Sequence, residues 1–392
     1  MSRATRSNSG FSLIELMIAM TIGLLLMSGL VMIFVNSSET NRELQKTAQQ
    51  IENGRYAIDV VSQDLRLAGF YGHLHQLNNI TMPATIPPDP CEATDLAALL
   101  SSLRFPVQGY RGTIDAASAA SDARPNVSAT ICDTALLTDA NLRPGSDVLV
   151  IRRADTNYLR RPGDPDPATP TGGDLTINTA IYIQATSSGA QIQVGNGAAI
   201  GDNMANGGAS TLRLANGAIP PPAAPVRRLR VHVYFVAPCS IGSAANGACT
   251  GAAGEDSIPT LKRLELTTPG NITIVPMVEG IEYFKVEFGV DTAPSSVNVN
   301  TGYIGDGTVD RYYQTPPDWT TVIAAKVYLL ARNSEPTQGF TDTKTYQLGS
   351  AAATDNITVP VPVATGAAAR YKRHVYTAAV QLVNTAGRRE IP

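Results

Sequence analysis

Residues 10–35 read GFSLIELMIAMTIGLLLMSGLVMIFV, an apolar run that contains one charged side chain, the carboxylate of Glu15. An α-helix rises about 1.5 Å per residue, so about 20 such residues cross the hydrocarbon core of a bilayer. Arg3 and Arg6 precede the run and no basic residue follows it closely, an asymmetry that keeps the short leader in the cytoplasm. The sequence therefore predicts one membrane helix and export of the chain that follows it.

Glu15 is the unusual residue of this run. A carboxylate inside a membrane segment is costly unless it is paired, and a removed secretory signal has a shorter apolar stretch. If the chain is cut between Gly10 and Phe11, the new amino group and Glu15 open the same helix. The Glu15 carboxylate of one helix can then pair with the terminal amine of a neighbouring helix at every junction of an assembly. The alternative is an incidental carboxylate at the level of the lipid headgroups.

Residues 10–17, GFSLIELM, follow a short basic leader and resemble the class III signal of type IV pilins and type II secretion pseudopilins. The resemblance implies cleavage after Gly10 by a membrane-embedded prepilin peptidase, N-methylation of Phe11 and packing of the retained helix in a filament core. Many major pilins have a helix-kinking proline in the apolar run. This chain has none there, which favours a minor subunit.

The helix is predicted to continue beyond the membrane, because residues 36–67 contain no proline and carry apolar residues at helical spacing. The predicted buried stripe comprises Leu44, Ala48, Ile51, Ile58, Val61, Leu65 and Ala68. The predicted solvated face comprises Glu43, Lys46, Glu52, Arg55, Asp59, Asp64 and Arg66. Gly69 and Gly72 are expected to end the helix.

The rest of the chain has the composition of a β-rich head with long loops. The protein has 392 residues with 33 Gly and 26 Pro, and its formal charge of -3 excludes a whole-protein field that would attract nucleic acid. Alternating and β-branched residues predict strands at 146–153, 180–185, 190–194, 227–236, 261–266, 281–288, 321–331 and 374–383. Residues rich in Gly, Pro, Asn and Ala predict loops at 162–173, 195–210 and 218–225.

Four later stretches are similar to the C-terminal half of the PilW minor pilins, at residues 277–282, 289–291, 319–333 and 371–384. The resemblance implies an α+β, pilin-like lollipop in which a long N-terminal helix packs on a β-rich head. The expected organisation is a removed leader at 1–10, a membrane helix at 11–35, its amphipathic continuation at 36–70 and an exported head at 71–392. Within the head, residues 78–224 match nothing recognisable and are expected to include an inserted subregion.

The four cysteines are expected to be oxidised in an exported domain. Four cysteines allow three pairings, of which we favour Cys91 with Cys132 and Cys239 with Cys249. A zinc site is disfavoured, because no two cysteines have short ligand spacing and the histidines are scattered.

Two weaker sites are considered. Asp291, Asp306 and Asp310 lie in a loop that also contains Asn298 and Asn300, and these oxygens make it a candidate Ca²⁺ site. A solvated turn is the preferred interpretation, because the spacing does not match a calcium loop. Arg228 and Arg230 alternate with apolar residues on one strand, on a face that continues to His232 and Tyr234. That face is a candidate for binding anions or DNA, and an ordinary exposed face paired with acidic residues is the preferred alternative.

No catalytic motif is present, so we expect a protein that is not an enzyme. The resemblance implies a minor pilin that helps to prime type IV pilus assembly and sits at or near the tip, in support of twitching motility, adhesion or DNA uptake. The implied partners are other minor pilins, the major pilin, the inner-membrane platform and a tip adhesin. The head would lie in the periplasm before assembly and on the extracellular pilus afterwards.

Two alternatives within this resemblance are a minor pseudopilin of type II secretion and an adhesin or DNA-binding head mounted on a pilin helix. An anchored or secreted binding protein remains only if Gly10 is not the cleavage site.

Overall fold

The computed structural model describes residues 12–75, 77, 87–91, 95–114, 132, 136–158, 180–187, 189–194, 212–214, 223–268, 271–294, 305–349, 359–361 and 366–389. The chain divides into two compact units, Met1–Gln49 and Gln50–Pro392. Helix α1 (Leu13–Leu67) supplies the described part of the first unit and the opening segment of the second.

The first unit is helical from residue 13 to residue 49, and its apolar side chains are exposed from Leu13 to Val35. Among the described residues, α1 is the one helix long and apolar enough to cross a membrane by length and composition. A helix that is apolar on all sides needs an apolar environment, which a bilayer or a bundle of like helices provides.

The second unit is rich in antiparallel β-structure. Its short helices are α2 (Leu96–Ser102) and α3 (Val383–Ala386), and 3₁₀ turns occupy Trp319–Thr321 and Gly366–Arg370. Its strands are β1 (Val107–Tyr110), β2 (Val148–Ala154), β3 (Ile181–Ala185), β4 (Ala190–Val194), β5 (Val226–Ala237), β6 (Thr260–Thr268), β7 (Asn271–Glu279), β8 (Ile281–Val290), β9 (Arg311–Tyr313), β10 (Val322–Arg332), β11 (Tyr346–Leu348), β12 (Val359–Val361) and β13 (Arg373–Gln381).

The strands form two main sheets. The larger sheet has the order β1-β2-β5-β3-β4, with β6 on β5 and β7 on β6, and the smaller has the order β13-β10-β8-β9. Strands β11 and β12 pair separately. All eight strand predictions fall on observed strands, whereas β1, β7, β9, β11 and β12 were not predicted. Strand β7 contains Pro276 and pairs on one side only, as a proline-containing edge strand does.

The larger sheet is covered on both faces. One face shares an apolar core with the last turns of α1 and with the smaller sheet, through Leu149, Ile151, Phe284 and Val327 among others. The other face packs on residues from the segments that precede β1 and β2, including Leu74, Leu99 and Leu142. Burial on both faces explains why β2 has no exposed residue and why its first four residues, VLVI, are all apolar. The predicted α+β class is confirmed.

Candidate functional site

Glu15 caps the N-terminal end of α1. Its Oε2 accepts a hydrogen bond of 3.0 Å from the Ser12 backbone N–H, and the Leu16 N–H donates to the Ser12 carbonyl over 3.1 Å. A glutamate at the third helical position that reaches back to the capping residue satisfies one of the free donors of the first turn. Gly10 and Phe11, the predicted processing residues, lie outside the described residues.

The part of α1 that lies in the second unit is held on the head by small residues and side-chain amides. Its buried residues are Gln50, Gly54, Ala57, Val61, Ser62, Asp64 and Leu65. The Gln50 amide donates to the Ala331 and Lys372 carbonyls over 2.9 and 3.0 Å, and the side chain of Asn53 donates to the Glu279 carbonyl over 3.1 Å.

The predicted buried stripe is wrong at its N-terminal end. Leu44 is 63% exposed and Ile51 is 44% exposed, while Val61, Leu65 and Ala68 are buried as predicted. The helix turns a different face to the head, because Gln50 and Gly54 fit against backbone and a ring where leucine-sized side chains would not. A Cβ added to Gly54 would lie 2.1 Å from Cε2 of Tyr376.

Asp64 was predicted to be solvated and is instead the centre of a buried polar cluster, with 5% of the residue exposed. Its Oδ1 accepts from Nε of Arg153 over 2.6 Å. Its Oδ2 lies 2.6 Å from Nδ1 of His232 and accepts from the Tyr234 hydroxyl over 2.9 Å. We name this set, Asp64, Arg153, His232 and Tyr234, the helix-sheet cluster. It ties α1 to strands β2 and β5.

The electrostatics of the helix-sheet cluster favour an ionised Asp64. Burial alone would raise the pKa of this carboxyl, but attraction and hydrogen bonding from His232 and Arg153 outweigh burial and hold the pKa well below its usual range. Burial, with the nearby Asp64 carboxylate, raises the pKa of Tyr234. The cluster therefore keeps a buried carboxylate charged and fully hydrogen-bonded, as a stable buried ion requires.

The sequence contained a signal for Asp64 that the charge pattern concealed. Ala57, Val61, Asp64 and Ala68 follow one another at spacings of four, three and four residues, which places them on one helix face. Three of the four are small or apolar and buried. A lone carboxylate in such a series must find a cationic partner on the surface that the helix covers.

The strand face considered for anion binding is not an open surface. His232 and Tyr234 are buried in the helix-sheet cluster, with 4% and 0% of each residue exposed. Arg230 binds the Asp155 carboxylate with hydrogen bonds of 3.1, 3.1 and 3.0 Å. Arg228 is half-buried and lies near Tyr182. The face pairs with acidic residues, as in the preferred alternative, and it is also covered.

The carboxylates of the candidate calcium loop accept hydrogen bonds from the loop backbone. Asp291 is fully buried and accepts from the N–H groups of Asp306 and Gly307 over 3.1 and 2.8 Å. Asp310 accepts from Thr292 and Ala293. These donors act to lower the pKa of Asp291, but burial outweighs them and leaves that pKa raised. Among the described residues, the arrangement fits a turn held by carboxylate hydrogen bonds better than a metal site. Asn298 and Asn300 lie outside the described residues, and Ca²⁺ binding stays a prediction.

Both predicted disulfides are present, Cys91–Cys132 and Cys239–Cys249. Asp89 lies beside the first, and its Oδ1 accepts from the backbone N–H of Cys91 over 2.8 Å. These are the three residues whose ligand atoms come close enough for a metal within the described parts of the chain. Because both sulfurs are bonded to each other, they are not available as thiolate ligands.

Comparisons with known proteins bear on the two ends of the chain. Residues 5–31 match the model of the prokaryotic N-terminal methylation motif. Residues 240–384 match the model of the family described as Type IV Pilus-assembly protein W, PilW. The predicted resemblance to PilW minor pilins is confirmed over these stretches, which together cover less than half of the chain.

A search of solved structures finds a type IV-like pilin from Thermus thermophilus that is 15% identical, covers 53% of this chain and 83% of that chain, and has a TM-score of 0.21. A search of curated proteins gives no match.

The two family matches support a type IV pilus minor pilin, a structural protein rather than an enzyme. The methylation motif and the apolar helix at the N-terminus indicate membrane anchoring and processing by a prepilin peptidase. No cofactor is indicated. Residues between the two matches, including the whole of β1 to β5, lie outside both family models.

Proposed function

We propose that this protein is a minor pilin that helps to prime type IV pilus assembly and is then incorporated at or near the tip. The observation that carries the proposal is the match of residues 5–31 to the N-terminal methylation motif. Glu15 lies within this stretch, in the first turn of a helix whose apolar side chains are exposed. Its partners are other minor pilins, the major pilin, the inner-membrane platform and a tip adhesin. The head faces the periplasm before assembly and the extracellular medium afterwards, where it supports twitching motility, adhesion or DNA uptake.

The docking step is a change of hydrogen-bond partner for Glu15. In the isolated chain, its carboxylate accepts from the Ser12 backbone N–H. After cleavage between Gly10 and Phe11, the methylated amine of Phe11 in a neighbouring helix is a charged donor for the same carboxylate. A charge-assisted hydrogen bond is about twice as strong as a neutral one, and pairing removes two charges from an apolar medium. The exchange therefore favours the assembled state.

The test is Glu15→Ala in the native host, with Glu39→Ala as the matched control further along the same helix. Glu39 lies beyond the apolar run and is exposed. We expect Glu15→Ala protein to be inserted and cut after Gly10, but to enter sheared pili at least about tenfold less than the wild type, because the buried amine loses its partner. Glu39→Ala protein should enter normally.

Incorporation of Glu15→Ala protein at the wild-type level would contradict the charge-pair step. The mature N-terminus separates the other outcomes. Methylated Phe11 supports entry into the pilin pathway, whereas an uncut Met1 would leave an anchored binding protein. Loss of protein secretion with normal pili in a deletion strain would identify a type II secretion pseudopilin instead.

A further inference from the structure

A cleft lies beside the edge strands of both main sheets. It has a volume of about 440 Å³ and is lined by Arg111, Tyr313, Gln314, Thr315 and Pro317. Arg111 follows directly after β1, at one edge of the larger sheet, and Tyr313 ends β9, at one edge of the smaller sheet. We name these five residues the edge cleft. Its volume is within the range of about 300 to 1,000 Å³ that is typical of small-ligand sites.

Arg111 gives the edge cleft its charge. Its side chain is exposed, and within the described parts of the chain it forms no ion pair or side-chain hydrogen bond. Several other arginines of the head bind carboxylates of the protein, among them Arg153 and Arg373, whose partners Asp64 and Glu282 are buried. A planar guanidinium with an open face binds a carboxylate through two parallel hydrogen bonds.

Gln314 and Thr315 add neutral hydrogen-bonding groups. The Oε1 atom of Gln314 is buried and has no hydrogen-bond partner among the described residues, while Thr315 is exposed. A buried carbonyl oxygen without a partner costs free energy, and a ligand hydroxyl can satisfy it by donating a hydrogen bond. Two neighbouring polar side chains of this kind suit a ligand with several hydroxyl groups.

Tyr313 and Pro317 provide the apolar part of the lining. The Arg311 guanidinium lies 5.1 Å from the centroid of the Tyr313 ring, which fixes the ring and occupies part of its surface. The remaining ring surface and the pyrrolidine of Pro317 offer van der Waals contact to a ligand with C–H groups. One charge, two neutral polar groups and two apolar surfaces therefore meet in one cleft.

From this combination we infer that the edge cleft binds a uronic-acid unit of an acidic polysaccharide. Arg111 receives the carboxylate, Gln314 and Thr315 bind ring hydroxyls, and Tyr313 and Pro317 contact the C–H face of the sugar. Single-stranded nucleic acid fits less well, because it needs a track of cations and open aromatic faces, and the protein has a net charge of -3.

This inference deepens the proposed function, since a head carried on a filament would meet such polymers outside the cell. The binding test uses purified protein and does not depend on pilus assembly. Failure to bind would leave the Glu15 experiment unaffected, and failure of the Glu15 experiment would leave the binding result unaffected.

The experiment measures binding of oligogalacturonate to the full chain in detergent micelles, with a neutral maltooligosaccharide of equal length as the reference ligand. We expect binding of the acidic oligomer only. Arg111→Gln should weaken it at least about tenfold, because a charge-assisted pair is lost. Thr315→Val, which keeps the shape of the side chain, should weaken it by a smaller factor.

Arg370→Gln is the matched control, since Arg370 is also exposed and precedes β13, beside the end of β10 far from Tyr313. This variant should bind as the wild type does, and all variants should unfold at the wild-type temperature. The inference is overturned if the acidic oligomer does not bind, if Arg370→Gln weakens binding as much as Arg111→Gln, or if single-stranded DNA binds more tightly with the same dependence on Arg111.

Discussion

Helix α1 contains two stretches of similar secondary structure and opposite surroundings. From Leu13 to Val35 the large apolar side chains are at least half exposed, and Phe34 is 73% exposed. From Gln50 to Leu65 the buried residues are mostly small or polar, and none is larger than leucine. The more apolar stretch is therefore the one that the described protein leaves uncovered.

The difference shows that the hydrophobicity of a helix segment does not by itself determine whether the head covers it. The uncovered stretch obtains its apolar environment from outside the chain, from lipid or from other helices, and needs only to be apolar. The covered stretch must fit a particular surface, so Gly54 and Ala57 allow close approach, while Asp64 and Gln50 supply hydrogen bonds. Close fit and hydrogen bonding, more than apolar character, attach the helix to the head.

The largest expected effect comes from Asp64→Ala. The change leaves buried His232 without its carboxylate and leaves half-buried Arg153 with Asp155 alone, at 3.5 Å. Removing one partner of a buried ion pair costs about 3 to 5 kcal/mol. We expect the free energy of unfolding to fall by about that amount, as measured by urea titration with near-UV circular dichroism on the full chain in micelles.

Asp59→Ala is the matched control for this prediction, five residues earlier in the same helix. The Asp59 side chain is exposed and accepts a hydrogen bond from Gln63 on the helix surface. It should change stability by less than about 0.5 kcal/mol. Equal effects of the two substitutions would show that the helix-sheet cluster does not fasten the helix.

Lowering the pH is expected to reduce the free energy of unfolding by a smaller amount. The pKa of Asp64 is lower in the folded chain than its ordinary value of 3.8, so below about pH 4 the unfolded chain binds a proton that the folded chain does not. The stabilisation is present above that pH and is lost as the pH falls towards the folded pKa. Each such carboxyl contributes a slope of about 1.4 kcal/mol per pH unit.

The pKa of buried Glu282 is also lower in the folded chain than its ordinary value. Arg143 and Arg373 outweigh the effect of burial and lower the pKa of its carboxyl. Urea titrations between about pH 5 and pH 3 should therefore show a shallower decline for Asp64→Asn than for the wild type, with the difference approaching one proton. Parallel curves for the two proteins would mean that Asp64 titrates alike in the folded and unfolded chains.

The sequence was sufficient for the features that depend on local pattern. The candidate membrane helix and the eight predicted strands follow from apolar runs and alternation, and oxidation of the four cysteines follows from the redox setting of an exported domain. The sequence was insufficient where a residue's environment is set by a partner far along the chain. Asp64 and His232 are 168 residues apart, and nothing local to either one indicates that they meet.

The edge cleft was missed for the same reason. Arg111 follows β1 and Tyr313 ends β9, strands at the edges of different sheets, and only the sheet order brings these residues to one cleft. Strand β9 is three residues long, too short to give an alternating pattern. The reverse error occurred at Leu44 and Ile51, where helical spacing predicted burial and the structure has exposure. The spacing of apolar residues identifies a helix face, but packing against the head determines which face is buried.

The smallest expected effect comes from replacing one glycine by alanine in each of the two stretches of α1. A Cβ at Gly54 would clash with the Tyr376 ring, whereas a Cβ at Gly29 would meet no described residue within 4 Å beyond the adjoining turns of its own helix. Displacing the ring costs about 1 to 3 kcal/mol, and alanine recovers up to about 1 kcal/mol of helix propensity. We expect Gly54→Ala to destabilise the head by about 1 kcal/mol in urea titrations, and Gly29→Ala to leave it unchanged.

Because the penalty arises from the ring, adding Tyr376→Leu to Gly54→Ala should cost less than the two single changes combined. If Gly54→Ala is as stable as Gly29→Ala, the close approach of helix and sheet at this point is not a constraint, and the contrast between the two stretches rests on the polar contacts alone.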